Sequence, residues 1–115
     1  MDDKFYFLSE QLKTIAKSAM AYANRVHNII FSDNPNDIAI IGYLNYASSL
    51  VGTAKSIYIS NYDILEHNDI DDFFNQFNVF IAEVLNNIET NHSHQWSDIE
   101  FRALQEKFDY CVLSQ

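Results

Sequence analysis

Residues 69–90 read DIDDFFNQFNVFIAEVLNNIET, and this stretch decides the fold class. Its apolar side chains recur at spacings of three and four residues, which places them on one side of an α-helix. They are Ile70, Phe73, Phe74, Phe77, Phe80, Ile81, Val84, Leu85 and Ile88. Large aromatic side chains on one helical face are mostly buried, so the stripe is predicted to be core and not a ligand site.

The same periodicity continues on both sides of this stretch. It predicts further helices over about residues 3–31, 35–61 and 98–113, joined by short polar connectors at about residues 62–68 and 91–95. Asn34 is the expected cap of the second helix. Ser97 and Glu100 form the expected capping box of the last helix.

The predicted fold is an all-α, antiparallel four-helix bundle with two long and two shorter helices, forming a single helical domain over residues 1–115. Only two glycines and one proline occur in 115 residues, which disfavours a sheet with tight turns. Because the first helix would outreach the shorter ones, we expect it either to bend near residues 24–28 or to project past the bundle.

Composition places the chain among soluble proteins of a reducing compartment. The one cysteine, Cys111, cannot form an internal disulfide, and its position on an apolar helical face predicts burial. The chain opens with an acidic stretch. It shows no signal-peptide pattern of a basic segment followed by an apolar run. The apolar run at residues 38–44 is too short to span a bilayer. We therefore expect a cytoplasmic protein without a membrane partner, although a secreted protein without a leader would look the same.

The sequence contains no recognisable catalytic or metal-binding pattern. No glycine-flanked serine and no phosphate-binding glycine loop are present. His92 and His94 lie two residues apart in a loop, which is not the spacing of a helix-borne metal site. We expect no enzyme activity, no cofactor and no metal.

Charge is the feature that points to a partner. Between Lys55 and Arg102 there is no lysine or arginine but there are nine acids, and the whole chain has a net charge of −9. This imbalance disfavours direct nucleic-acid binding and favours a basic protein partner. The predicted partner-binding residues are five clustered acids and two neighbouring tyrosines: Asp63, Glu66, Asp69, Asp71, Asp72, Tyr58 and Tyr62.

The second helix has one side that is small and neutral. Its residues are Asn45, Ser48, Ser49, Gly52 and Ser56, and Lys55 is the sole charge between Asp37 and Asp63. A solvated helical face normally carries charge. Either this helix is the most enclosed one of the monomer, or this side is a homodimer or helix-docking face.

Three classes of function remain. The favoured one is a stoichiometric inhibitor, such as an immunity protein, an antitoxin or a phage-encoded inhibitor, that masks a basic nucleic-acid-binding surface of its partner. The alternatives are a secretion accessory or chaperone-like helical partner protein, and a structural or regulatory bundle without a basic partner.

Overall fold

Four long helices form the body of the protein in a computed structural model that describes residues 3–115. The helices are α1 (Asp3–Ile30), α2 (Asp37–Ser60), α3 (Tyr62–Leu65), α4 (Asn68–Thr90) and α5 (Gln95–Asp109), followed by a 3₁₀ turn at Val112–Ser114. α1 packs on α2 and α5, and α4 packs on α5 and α2, so the long helices close into a ring. The predicted all-α bundle is confirmed.

The phenylalanines of α4 form the centre of the core. Phe73, Phe77 and Phe80 are fully buried, and Phe74 is 2% exposed. The Phe73 ring lies 5.8 Å from that of Phe77 and 5.5 Å from that of Phe108 on α5. Aromatic rings at these distances attract one another in addition to burying apolar area. The stripe read from residues 69–90 is therefore core, as predicted, except at Leu85, which is 40% exposed, and at Ile81 and Ile88, which are half-buried.

Alanines hold α1 close to α2. Ala19 and Ala23 on α1 and Ala47 on α2 have no exposed surface, and Ala16 and Ala54 are 1% exposed. Small side chains at a helix contact let the two axes approach closely. The buried side of α2 is thus turned toward α1, and its opposite side faces outward.

The first helix is long and unbroken. α1 runs without interruption for 28 residues, about 42 Å at 1.5 Å per residue. Residues 3–7 at its start are all exposed, and Phe5 among them is 42% exposed. The first buried side chain of α1 is Leu8, so residues 3–7 contribute little to the core.

The predicted cap of α2 is wrong by two residues. Asn36, not Asn34, is the cap, and its side-chain oxygen accepts a hydrogen bond from the Ala39 N–H at 3.1 Å. Residues 31–38 are all exposed, and Ile40 is the first buried side chain of the helix. If α2 began earlier, the added helical residues would have no core to pack against. Because helical stability in proteins comes mostly from packing, an earlier start is not favoured.

The connector before α4 contains a turn of helix that the sequence did not predict. α3 occupies Tyr62–Leu65 within the expected loop. Leu65 is only 5% exposed, and one helical turn directs this side chain into the core while the neighbouring polar residues stay outside.

The predicted capping box of α5 is also wrong. α5 begins at Gln95, and Ser97 is fully buried inside its first turn. The Ser97 hydroxyl accepts a hydrogen bond from Asn87 Nδ2 at 2.9 Å and lies 2.9 Å from His94 Nδ1. Glu100 instead accepts hydrogen bonds from the Gln76 amide at 3.1 Å. The buried side chain of Asn87 on α4 needs a hydrogen-bond partner. If the Ser97 hydroxyl capped the helix, it would not be available to Asn87.

The last helix ends earlier than the expected residue 113. α5 stops at Asp109, and the following 3₁₀ turn brings Leu113, 1% exposed, back onto the bundle. Cys111 has no exposed surface, as predicted, and burial raises the pKa of its thiol. A buried thiol of raised pKa is a poor nucleophile, because the thiolate is the reactive form.

Candidate protein-binding surfaces

Five acids form what we call the acidic surface: Asp63, Glu66, Asp69, Asp71 and Asp72. They lie on α3, on the link that follows it, and on the first turns of α4. Asp63, Glu66 and Asp72 are exposed, whereas Asp69 and Asp71 are half-buried. Three carboxylates of the predicted partner-binding set are therefore open to a partner.

Part of this acidity has a local explanation. Asp69 and Asp71 lie in the first turn of α4, where the helix dipole favours negative charge. His67 caps the same helix through Nδ1, which accepts a hydrogen bond from the Asp69 N–H at 3.2 Å. Asp72 lies 3.9 Å from the ammonium of Lys107 on α5. The helix start accounts for Asp69 and Asp71 but not for Asp63 or Glu66.

The structure separates the two tyrosines of the predicted set. Tyr62 is 41% exposed and packs edge-on against Tyr58. Tyr58 is 2% exposed, so a partner cannot contact its ring. Its hydroxyl accepts a hydrogen bond from the His67 N–H at 3.0 Å and donates one to the His67 carbonyl at 3.2 Å. Tyr58 therefore anchors the acidic segment to α2, and only Tyr62 offers an aromatic contact.

Tyr58→Phe should lower the free energy of unfolding by about 1 kcal/mol, the usual net value of a hydrogen bond. Burial raises the pKa of Tyr58 to about 12, whereas the unfolded chain loses this proton near pH 10. The contribution of Tyr58 is thus complete below pH 10 and is lost as pH rises toward 12. Urea denaturation from pH 8 to 12 should show a smaller alkaline loss for the variant than for the wild type.

Tyr46→Phe is the matched control, because Tyr46 is 61% exposed. It should leave stability near neutral pH within about 0.5 kcal/mol of the wild type. An alkaline loss that is equal in Tyr58→Phe and the wild type would show that the buried phenol does not couple to folding.

The small, neutral side of α2 faces solvent. Asn45, Ser48, Ser49, Gly52 and Ser56 are all exposed. The alternative that this helix is the most enclosed one of the monomer is therefore wrong. A methyl group built on Gly52 would meet no atom within 4 Å, so this side of α2 has room for another molecule.

A polar link between α1 and α5 was missed by the sequence analysis. His27 Nε2 lies 2.8 Å from Asp98 Oδ1, and Arg102 Nε donates to Asp98 Oδ2 at 2.9 Å. The His27 hydrogen bond, together with Arg102, lowers the pKa of Asp98. His27 also stacks on Phe101 with ring centres 4.3 Å apart. His27 and Asp98 are far apart in sequence, so no spacing could have revealed this contact.

An apolar cavity of about 270 Å³ lies beside the acidic surface. It is lined by the start of α1, by residues 64–67 and by the C-terminal turn, with Leu12, Ile70 and Leu113 on its apolar wall and Glu66 among its polar groups. The exposed Phe5 also lines it. The cavity and the acidic surface therefore share Glu66.

Within residues 3–115, no three histidine, cysteine or acidic side chains lie close enough together to hold a metal ion. The helices described over the same range include none with the length and apolarity needed to cross a membrane. Comparison with protein families, curated proteins and solved structures gave no match.

Proposed function

We propose that the chain is a small acidic protein-binding protein that acts as a stoichiometric inhibitor of the immunity-protein, antitoxin or phage-encoded kind. It masks a basic, nucleic-acid-binding surface of its partner and has no catalytic role of its own. The observation that carries the proposal is the acidic surface, in which Asp63, Glu66 and Asp72 are exposed.

Electrostatics supports a basic partner. The chain carries a net charge of −9, and no lysine or arginine interrupts the sequence between Lys55 and Arg102. A surface of one sign attracts a partner of the opposite sign and raises the association rate by roughly 10- to 1,000-fold at low salt. A groove that binds phosphates is rich in lysine and arginine. Its positive charge is therefore complementary to the negative charge of the acidic surface.

The neighbouring cavity supplies an apolar contact to the same interface. Tight protein interfaces anchor large side chains in pockets that polar groups surround. A cavity of roughly 150 Å³ holds a benzene molecule, so one of about 270 Å³ has room for a large apolar side chain. Because Glu66 borders both features, a basic segment with one apolar residue would occupy the two together.

The charge-reversal variant Asp63→Lys/Glu66→Lys/Asp72→Lys tests the proposal. Wild type and variant serve as bait for capture from the native cell extract, and the captured protein is then assayed for nucleic-acid binding. We expect the wild type to displace nucleic acid from its partner at one-to-one stoichiometry. We expect the variant to associate at least about ten-fold more slowly, with a flatter salt dependence.

The matched control makes the same change of six charge units at three other exposed positions. It is Asp33→Lys/Glu89→Lys/Glu106→Lys, because these acids are exposed and lie outside the acidic surface. The control should retain most of the association rate. If both triple variants capture the partner as well as the wild type does, the acidic surface is a solvated surface and the proposal fails.

Exposed aromatic side chains at the start of α1 favour a second candidate, a secretion accessory or chaperone-like partner protein. Phe5, Tyr6 and Phe7 are 42%, 68% and 61% exposed. Binding through such residues buries apolar area and changes little with salt, whereas binding through the acidic surface weakens as salt rises. Capture at low and high salt therefore separates the two candidates. A structural or regulatory bundle without a basic partner would capture no basic protein at either salt.

A further inference from the structure

The outer side of α2 is an uncharged helical face without a partner in the monomer. It includes apolar residues at both ends as well as the small residues at its middle, and all of its members are exposed. They are Ile38, Ile41, Asn45, Ser48, Ser49, Gly52, Ser56 and Ile59. At 3.6 residues per turn these positions fall within about 100° of the helix circumference, so they form one continuous face, which we call the α2 face.

Packing of the monomer gives no reason for the glycines of α2. The only two glycines of the chain, Gly42 and Gly52, both lie inside this helix. A Cβ atom at either position would meet nothing within 4 Å. Glycine inside a helix is destabilising relative to alanine, and its usual benefit is close approach of another backbone. Among the described residues no second backbone lies close to either glycine, so both positions have room for a backbone of another molecule.

We propose that a second copy of this chain covers the α2 face, with the two α2 helices antiparallel and a twofold axis passing between Ser48 and Ser49. This arrangement places Ile38 opposite Ile59 of the second copy. It also pairs Ile41 with Ser56, Asn45 with Gly52, and Ser48 with Ser49. Every exposed position of the α2 face then has a counterpart on the same face, as a self-complementary twofold interface requires.

The sizes of the paired residues fit two crossing helices. Helices that cross are closest at the crossing point and move apart toward their ends. Ser48 and Ser49 are small and lie at the proposed crossing point, whereas the Ile38–Ile59 pair is large and lies at both ends. Asn45 would lie over the open space at Gly52. Small residues therefore stand where space is least, and isoleucines fill the gap where it widens.

The α2 face lacks the acidic charge that would make two copies of this chain repel one another. Two chains with a net charge of −9 each repel one another. From residue 38 to residue 62 the sequence has no acid, and its one ionised side chain is Lys55. In the proposed pairing Lys55 lies opposite Gly42 of the second copy, where the absent side chain leaves room for the lysine stem. The copies thus meet at a face that carries no acidic side chain.

The contact area predicts a reversible dimer. α2 has 24 residues, so a contact strip of about 36 Å by 10 Å buries about 360 Å² per copy. A standard stable interface buries about 800 Å² per partner. We therefore expect a weak dimer that forms and dissociates rapidly and that high protein concentration favours.

Cysteine cross-linking tests the pairing directly. Ile38→Cys and Ile59→Cys are made separately and treated with a short bis-maleimide linker at high protein concentration. In the antiparallel dimer, two copies of one variant hold their new thiols about 30 Å apart, so neither variant cross-links alone, but their mixture does. A parallel pair would instead cross-link each variant by itself, which would overturn the proposal, as would no cross-link in the mixture.

Sedimentation tests the assembly without new thiols. We expect the average mass of the wild type to rise toward that of a dimer with concentration. Ser49→Arg should remain a folded monomer, and Asn78→Arg, at an exposed position of α4, should dimerise as the wild type does. A wild type that is monomeric at millimolar concentration would overturn the proposal and leave the α2 face to a different protein. Dimerisation that survives Ser49→Arg would overturn it as well.

Discussion

Replacing Phe77 by alanine should lower the free energy of unfolding by about 3–5 kcal/mol, the usual cost of truncating a buried phenylalanine. Phe77 has no exposed surface and packs edge-on against Phe73, with ring centres 5.8 Å apart. The ring is central to the core, so the surrounding helices cannot close the gap without moving many neighbours. The loss therefore includes both the buried apolar area and the cavity that remains.

Urea denaturation followed by circular dichroism measures this loss. Val79→Ala on the same helix is the control, because Val79 is 44% exposed and its truncation leaves no cavity. We expect the control to cost about 1 kcal/mol or less. If the two variants are equally stable, α4 does not pack through its phenylalanine stripe, and the bundle as described is incorrect.

The fold class could be predicted because the apolar stripe in the sequence of α4 identifies the side of the helix that is buried. A stripe containing Phe73, Phe77 and Phe80 can be buried in only one orientation, whatever surrounds it. The helix boundaries could not be predicted as well. Asn34 and Asn36 both have side chains suited to capping, and the choice depended on where α2 first meets the core, at Ile40.

The candidate sites likewise have some features that could be predicted from the sequence and others that could not. Exposure of Asp63 and Glu66 follows from their charge, because an unpaired carboxylate is rarely buried. The burial of Tyr58, the approach of Lys107 to Asp72 and the His27 contact with Asp98 are contacts between distant segments. One sequence contains no signal for such contacts until the helices are placed against one another.

The contacts that Ser97 makes in the structure change the loss of unfolding free energy that we expect for its replacement by alanine. As the cap that the sequence predicted, its replacement by alanine would cost about 1 kcal/mol. In the structure the Ser97 hydroxyl is fully buried and is the acceptor for the Asn87 amide at 2.9 Å. Ser97→Ala leaves that buried donor without a partner, so we expect a loss of about 1–3 kcal/mol in the free energy of unfolding. Ser93→Ala, in the exposed loop before α5, should be nearly neutral.

A double-mutant cycle decides between the two roles of Ser97. If its hydroxyl serves Asn87, the cost of Ser97→Ala should shrink markedly when Asn87 is already alanine, because the donor that it satisfies is gone. A coupling of about 0.5–3 kcal/mol in denaturation experiments is the expected result. A cap would stabilise the start of α5 whatever stands at residue 87. Additive effects of the two substitutions would therefore contradict the buried network.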